Sequence, residues 1–303
     1  MKKGDTMRVF ITGMHSFVGQ ALIKQCRKRG IRYEGVDLLD ARQDNCRKAD
    51  IRDPGIADLV PEGVDALIHL AAMSRDPDCK DRAYECFDTN VMGTLNLINA
   101  ARKKNVKQFI FASTEWVYDS FREGENKDEE SLIDIGRITS EYALSKLVSE
   151  ANLRQKFSHG FCPATILRFG IIYGPREKNW SAVESLFNAV KTKDEVRVGS
   201  LRTGRRFIHV EDIVSGIIDS LGLEGFNIIN IQGDRLITLA DIIDTSKKIL
   251  ERSPAIIETS PEKFNIRNVS NKKAKALLHW EPRYSLQEGL RSLIGTETEA
   301  NLK

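Results

Sequence analysis

Tyr142 and Lys146 stand four residues apart in a stretch, Ser140 to Asn152, that reads as helix. Residues i and i+4 share a helix face, so the Lys146 ammonium can lie beside the Tyr142 phenol and favour its ionised form. An unperturbed phenol is a poor base at neutral pH. With a pKa near 10, roughly one in a thousand is ionised at pH 7, a deficit of about 4 kcal/mol that neighbouring positive charge must offset. Upstream, Ser113-Thr114 closes an apolar run, and a glycine-containing loop spans Gly13 to Gly19. Together these residues suggest redox chemistry with a nicotinamide cofactor, whose oxidised ring would add to the charge of Lys146. The Tyr-x-x-x-Lys spacing alone arises readily by chance, and its weight comes from this context.

The elements that must position the set are local ones. Thr12-Gly13-Met14-His15-Ser16-Phe17-Val18-Gly19 follows a short apolar strand, Arg8 to Ile11, and opens a helix with helical periodicity, Phe17 to Arg29. At such a turn the backbone amides and the helix dipole can hold a pyrophosphate. Ser16 stands where glycine is expected; it is small enough for close approach, and its hydroxyl could donate to phosphate. Asp37 ends a second strand, Ile31 to Asp37, eighteen residues beyond Gly19. A carboxylate there accepts hydrogen bonds from adenosine ribose hydroxyls and repels a 2′-phosphate, so NAD is expected over NADP. Asp50-Ile51, expected in the next short strand, is a candidate adenine contact or a surface turn.

Further strands are predicted at Ala66 to Ala71, Lys107 to Ser113 and Thr165 to Phe169, with helices at about Tyr84 to Lys103 and Ser140 to Lys156. This alternation predicts an α/β fold, a Rossmann-type doubly wound parallel sheet. After Tyr173-Gly174-Pro175 the alternation breaks down into a helix near Ala182 to Lys191, a short strand Glu195 to Val198 and a helix from Val210. A smaller C-terminal α/β lobe is expected there. Thr238 with Asp241 and Ser285 with Glu288 match the capping box of a helix start. The polar runs Glu123 to Ser131 and Glu297 to Lys303 are expected to be a mobile loop and a frayed tail.

The 303 residues carry 46 basic against 43 acidic side chains, a net charge of +3. The clusters Arg102-Lys103-Lys104 and Lys272-Lys273-Ala274-Lys275 read as solvated helix ends, and no nucleic-acid partner is implied. Cys26, Cys46, Cys79, Cys86 and Cys162 are odd in number and scattered, which argues against a disulfide framework or a zinc knuckle and for a reducing cytoplasm. His15, His69, His159, His209 and His279 show no metal-ligand spacing, so no metal is expected. The apolar run before Thr12-Gly13 is too short for a signal peptide or a membrane span, and a soluble protein is expected.

With these motifs the sequence resembles the extended short-chain dehydrogenase/reductase family, and within it the NAD-dependent nucleotide-sugar epimerases and dehydratases. The likeness rests on Thr12 to Gly19, Asp37, Asp50-Ile51, His69-Leu70-Ala71-Ala72, Asn90 to Asn96, Ser113 to Tyr118, Tyr142 to Lys146, Leu167 to Pro175, Phe207 to Asp212 and Ala274 to Pro282. It implies an NAD-binding Rossmann domain over 1–175 and a mainly substrate-binding lobe over 176–303, with about 207–232 returning to the main sheet. It further implies that Gly13, Ser16, Phe17, Val18, Gly19, Asp37, Asp50, Ile51, Leu70, Ala71 and Ala72 line the NAD site. Tyr142 would be the acid/base, Lys146 would lower its pKa and bind the nicotinamide ribose, and Thr114 would hydrogen-bond the reacting sugar hydroxyl.

The implied substrate is a nucleotide sugar, with Arg205 set against its pyrophosphate. Arg206 is the rival for that task, and either could form a structural ion pair. The implied reaction is epimerisation, at C4 through a transient keto sugar, in surface polysaccharide or sugar-nucleotide metabolism. The alternatives are a keto-nucleotide-sugar reductase using NAD(P), a 4,6-dehydratase, and a noncatalytic NAD-binding protein. A homodimer through the helices near 84–103 and 140–156 is also implied. Family dehydratases carry a glutamate where this chain has Trp116. Glu115, one residue earlier on a segment expected to be extended, would point to the other side, onto substrate or into solvent. Ile171 replaces an asparagine common in relatives, and the late Arg-Pro-Gly-Asp-like segment is not visible around Ser260 to Lys263, so the nucleotide and sugar stay open.

Overall fold

The computed structural model describes residues 6–39, 45–176 and 181–295. The expected frayed tail, Glu297 to Lys303, lies outside them. In chain order the elements are β1 (Arg8–Thr12), α1 (Phe17–Arg29), β2 (Arg32–Asp37), β3 (Cys46–Lys48), β4 (Ala66–His69), α2 (Asp76–Cys79), α3 (Ala83–Phe87), α4 (Gly93–Lys103), β5 (Phe109–Thr114), α5 (Glu141–Ser158), β6 (Ala164–Phe169), β7 (Ile172–Tyr173) and α6 (Ala182–Thr192). There follow β8 (Glu195–Val198), β9 (Gly204–Arg205), β10 (Ile208–His209), α7 (Val210–Asp219), β11 (Phe226–Ile231), β12 (Ile237–Thr238), α8 (Leu239–Leu250), β13 (Ala255–Glu258), β14 (Ile266–Arg267), α9 (Lys272–Leu278) and α10 (Leu286–Ser292). They form two compact units, one of Met1–Ser120, Ser131–Arg168 and Val214–Ile229, the other of Phe121–Glu130, Phe169–Ile213 and Asn230–Lys303.

The first unit is built on a seven-stranded sheet of order β11-β6-β5-β4-β1-β2-β3. β1 pairs in parallel with β2 and β4, β2 with β3, and β4 with β5. Every residue of β4 and β6 is buried, as in parallel strands covered on both faces. Phe10, Leu67, Leu97, Phe109, Phe111, Leu153 and Ile166 form its core. After β1 the chain winds outward through β2 and β3, then returns to place β4 on the other side of β1. Such a reversal leaves a crevice at the carboxyl ends of β1 and β4, where ligands bind in open α/β sheets.

The helical stretch expected near Tyr84 to Lys103 is present and contains a change of geometry. Between α3 and α4 the residues Asp88–Met92 form a π-helical turn. Within it Asn90 turns its amide onto the backbone of Met73, accepting from Met73 N at 2.8 Å and donating to Met73 O at 3.0 Å. A widened turn at a side chain with such a task is a common use of π geometry. Immediately after it, Gly93 packs on Ile51: a Cβ there would sit 2.7 Å from Ile51 Cδ1.

In the second unit β7 pairs with β10, β9 lies between β12 and β14, and β8 pairs with β13. Its core includes Tyr173, Val183, Phe187, Val190, Ile242 and Leu290. Capping boxes start α6, α8 and α10 at Ser181, Thr238 and Ser285, the last two as their sequences predict. The run expected to be a mobile loop is instead tied down. Lys127 bridges Val269, its N–H donating to Asn268 O at 2.9 Å and its carbonyl accepting from Ser270 N at 2.7 Å, and Glu129 Oε1 accepts from Asn230 N at 2.7 Å. Several of its polar side chains remain exposed, while Lys127 and Glu129 anchor it. No described helix is long and apolar enough to cross a membrane.

Candidate active site

β5 delivers Ser113 and Thr114 at its carboxyl end, and Thr114 Oγ1 caps the following turn by accepting from Trp116 N at 3.2 Å. α5 starts at Ser140, whose hydroxyl accepts from Ala143 N at 3.2 Å, so Tyr142 lies in the first helical turn. Tyr142, Lys146 and Glu150 follow at i, i+4 and i+8 on one face. The Thr114 hydroxyl stands beside the Tyr142 phenol and acts to lower its pKa. Lys146 is 2% exposed, its Nζ donating to Ala112 O at 2.8 Å and standing 4.7 Å from the Phe111 ring centroid.

Burial dominates the electrostatics of both groups. It raises the Tyr142 phenol above its usual range, against which the Thr114 hydroxyl works. It pulls Lys146 down to about 8, against the fields of Cys86, Cys79 and Glu150. The expectation that Lys146 supplies the downward pull on Tyr142 is therefore modified. Among the protein's own groups the opposing contribution comes from Thr114, while the Lys146 ammonium is engaged by a backbone carbonyl.

Beneath the pair lies a buried ionic network. Ser113 Oγ donates to Glu150 Oε1 at 2.5 Å, Arg168 grips both Glu150 oxygens, and Arg168 Nη1 donates to Tyr118 OH at 2.6 Å. Beside it runs a neutral chain of hydrogen bonds. Thr94 Oγ1 donates to Asn90 O at 2.6 Å and so must accept from His69 Nε2–H at 2.9 Å, which leaves His69 Nδ1 to accept from Thr12 Oγ1 at 2.8 Å. Burial holds His69 well below its ordinary pKa, as this arrangement requires. Asn90 Nδ2 also donates to Ser145 Oγ at 2.9 Å, and Asn90 O accepts from Ser149 Oγ at 2.9 Å. These contacts clamp α5, and with it Tyr142, to the loop after β4.

At the carboxyl ends of β1 and β4, Gly13 N donates to Val36 O at 2.9 Å, and Ala71 N to Thr12 Oγ1 at 3.3 Å. The backbone is too close here for side chains: a Cβ on Gly13 would meet Ala71 N at 2.7 Å, and one on Gly19 would meet Gly13 O at 2.2 Å. Leu70, Ala71 and Ala72 follow β4 against this loop, half-buried. Ser16 caps α1 by accepting from Gly19 N at 3.0 Å, which leaves its O–H to donate, and Phe17 and Val18 open the helix half-buried. Asp37 ends β2 as expected, and its carboxylate accepts from His15 N at 2.8 Å and Leu39 N at 3.0 Å.

Other expected site residues have protein contacts of their own. Asp50 and Ile51 lie beyond β3 rather than in it. The Asp50 carboxylate is taken by Arg52 in a two-point pair, and Ile51 is 5% exposed in the core. In the second unit, Arg205 Nη1 donates to Gly204 O at 2.7 Å and Asn265 O at 2.6 Å, while Arg206 donates to Asn268 Oδ1 at 2.6 Å and Asp234 O at 2.9 Å. Glu115 is 0% exposed, so it does not face solvent, and 115–117 is a 3-10 turn rather than the expected extended segment.

A sequence profile described as the NAD-dependent epimerase/dehydratase family matches residues 9–231. The chain belongs to this family. It is similar to a UDP-glucuronate 4-epimerase of Thermodesulfobacterium geofontis, 26% identical over 78% of this chain and 73% of that protein. It is also similar to an uncharacterized UDP-glucose epimerase, YtcB, of Bacillus subtilis, 28% identical over 95% of this chain and 97% of that protein. Further relatives at 24% to 26% identity are UDP-sugar decarboxylases and a GDP-sugar reductase. In fold it matches the NAD complex of Thermus thermophilus UDP-glucose 4-epimerase, with a TM-score of 0.82, 24% identity, and 96% and 98% of the two chains covered.

The cofactor of this NAD-dependent family fits the residues present. The cradle at Gly13 and Gly19 is one that a Cβ would fill, and His15 Nε2 beside it is buried with no hydrogen-bond partner among the described residues. What residue-by-residue reading missed is Asn90 as the hub of the clamp. Its only signal was the Asn90 to Asn96 run, noted for likeness and given no task.

Proposed function

We propose that this NAD-dependent epimerase/dehydratase family member is a nucleotide-sugar epimerase, acting at C4 through a transient keto sugar. The observation that carries the reading is the placing of Thr114 beside Tyr142, with Lys146 one helical turn on. When bound, NAD supplies a reversible hydride acceptor and a positive charge beside the phenol. Thr114 holds the reacting hydroxyl, and Tyr142 takes its proton as the carbon is oxidised. Lys146 binds the nicotinamide ribose on this reading. Tyr142 returns the proton after the keto sugar has presented its other face, which inverts the centre. Gly13, Ser16, Phe17, Val18 and Gly19 receive the pyrophosphate on this reading, Asp37 the adenosine ribose, and Arg205 the substrate pyrophosphate.

Trp116, in place of the dehydratase glutamate, favours epimerisation over dehydration, and the Asp37 carboxylate disfavours an NADPH-using reductase. A homodimer through α4 and α5 belongs to the same proposal, supported by Tyr84, 82% exposed, and Met92, 52% exposed, on the adjoining α3 and π turn. Sedimentation showing only monomer would remove that part. The activity is tested by incubating purified protein with UDP-, GDP-, CDP- and dTDP-sugars and analysing product stereochemistry. Expected are retained NAD, no net change at 340 nm and an inverted C4. Stoichiometric NADH or NADPH consumption would instead make the protein a reductase.

A further inference from the structure

Two of the five cysteines face each other across a short turn. Cys79 closes α2 and Cys86 lies in α3, joined by Lys80 to Arg82 with Asp81 in the left-handed region at φ 61. Both thiols are 0% exposed, and their sulfur atoms stand 2.6 Å apart. Cys26, Cys46 and Cys162 lie on α1, on β3 and before β6. The facing pair also abuts the clamp on α5. Cys79 Sγ donates to Met73 O at 3.8 Å, and Cys86 Sγ accepts from Asn90 Nδ2 at 3.5 Å and lies 3.7 Å from Ser145 Oγ, whose O–H donates to Tyr142 O at 2.8 Å.

We propose that Cys79 and Cys86 form a reversible disulfide, a thiol-oxidation site built against the helix that carries Tyr142. The oxidant is a hydroperoxide. Burial excludes a bulky disulfide, and it raises the Cys79 thiol above its ordinary pKa, so any oxidation runs slowly through the small thiolate fraction and needs a small oxidant. Hydrogen peroxide is small and neutral. One thiol is oxidised to a sulfenic acid as peroxide is reduced, releasing one water. The sulfur of the other then displaces the sulfenic hydroxyl, which leaves with a proton as a second water. In total two thiols lose two electrons and two protons, and one peroxide becomes two waters. The bond removes both S–H donors, including the one that Cys79 directs at Met73. A dithiol reductant reverses it.

The test uses the full chain, treated with hydrogen peroxide, then denatured, alkylated and mapped without reduction. Expected are the loss of two of the five thiols, a mass lower by two hydrogens, a linked peptide joining Cys79 to Cys86, and recovery of all five thiols with dithiothreitol. Cys86→Ser should give no linked peptide. Five thiols surviving treatment would overturn the proposal, as would a link through Cys46 or Cys162, or oxygen addition at Cys79 and Cys86 without a link. The wild-type map decides the matter even if the variant fails to fold. The readout is mass rather than turnover, so it stands or falls separately from the role given to Tyr142.

Discussion

Glu150 and Arg168 meet in a two-point ion pair, Nε to Oε1 at 3.0 Å and Nη2 to Oε2 at 2.6 Å, with each side chain 4% exposed. Ser113 and Tyr118 complete the network, so the pair ties α5 to β5 and β6. Removing one partner leaves the other charge buried and uncompensated, which costs about 3–5 kcal/mol. Glu150→Gln should therefore lower the unfolding free energy by a substantial part of that, read as a lower urea midpoint. Replacing both, with Glu150→Leu and Arg168→Met, should recover much of the loss. An unchanged midpoint in the single variant would contradict this account.

The placing of Thr114 beside Tyr142 gives a kinetic expectation. Tyr142→Phe removes only the acid/base hydroxyl, so turnover should fall by at least about 10²-fold with NAD affinity nearly unchanged. Thr114→Val should lower turnover by less, and Lys146→Ala should impair both turnover and NAD binding. Steady-state kinetics with NAD fluorescence titration separates the three. Near-normal turnover in Tyr142→Phe would remove Tyr142 from the reaction.

Lys146 makes stability depend on pH in a definite direction. Its pKa is about 8 in the folded chain against 10.5 as the ordinary value. Between these values the unfolded chain binds more protons, so stability rises with pH. The destabilisation is fully present below pH 8, amounts to about 3 kcal/mol, and is relieved as pH approaches 10.5. Lys146→Met should accordingly be more stable than wild type at pH 7, with the gap closing by pH 10. A gap that stays constant in urea denaturation across this window would show that the lysine is not held in this way.

The glycine cradle separates two kinds of glycine. Gly13→Ala places a Cβ 2.7 Å from Ala71 N at φ 77, and Gly19→Ala places one 2.2 Å from Gly13 O. Both should lower thermal stability and weaken NAD binding, because backbone must move at the pyrophosphate site. At Gly30, also left-handed with φ 66, nothing lies within 4 Å of the added Cβ. Gly30→Ala should cost only about 1 kcal/mol of local strain and leave NAD binding intact. Equal NAD affinity in all three would refute the cradle.

Local signals were legible along the chain. α1 spans Phe17–Arg29 as its periodicity predicts, and Thr238 and Ser285 begin helices by the capping rule. Such features depend on residues three or four apart. The π turn at Asp88–Met92, the pairing of Lys127 with Val269, the burial of Glu115 and the facing of Cys79 with Cys86 were not legible. The first three depend on which distant segment a side chain meets and the last on the course of the turn between the two cysteines, and periodicity carries no such information.

By itself the sequence determined the alternation of strand and helix, the glycine cradle and the candidate set Thr114, Tyr142 and Lys146. All of these follow from residue type and short spacing. Only the tertiary structure decided what those groups are chemically. Whether a phenol or an ammonium is stable as an ion depends on the water and charge removed around it. That sum runs over Phe111, Ala112, Thr114 and Glu150, side chains and carbonyls brought together from β5 and α5.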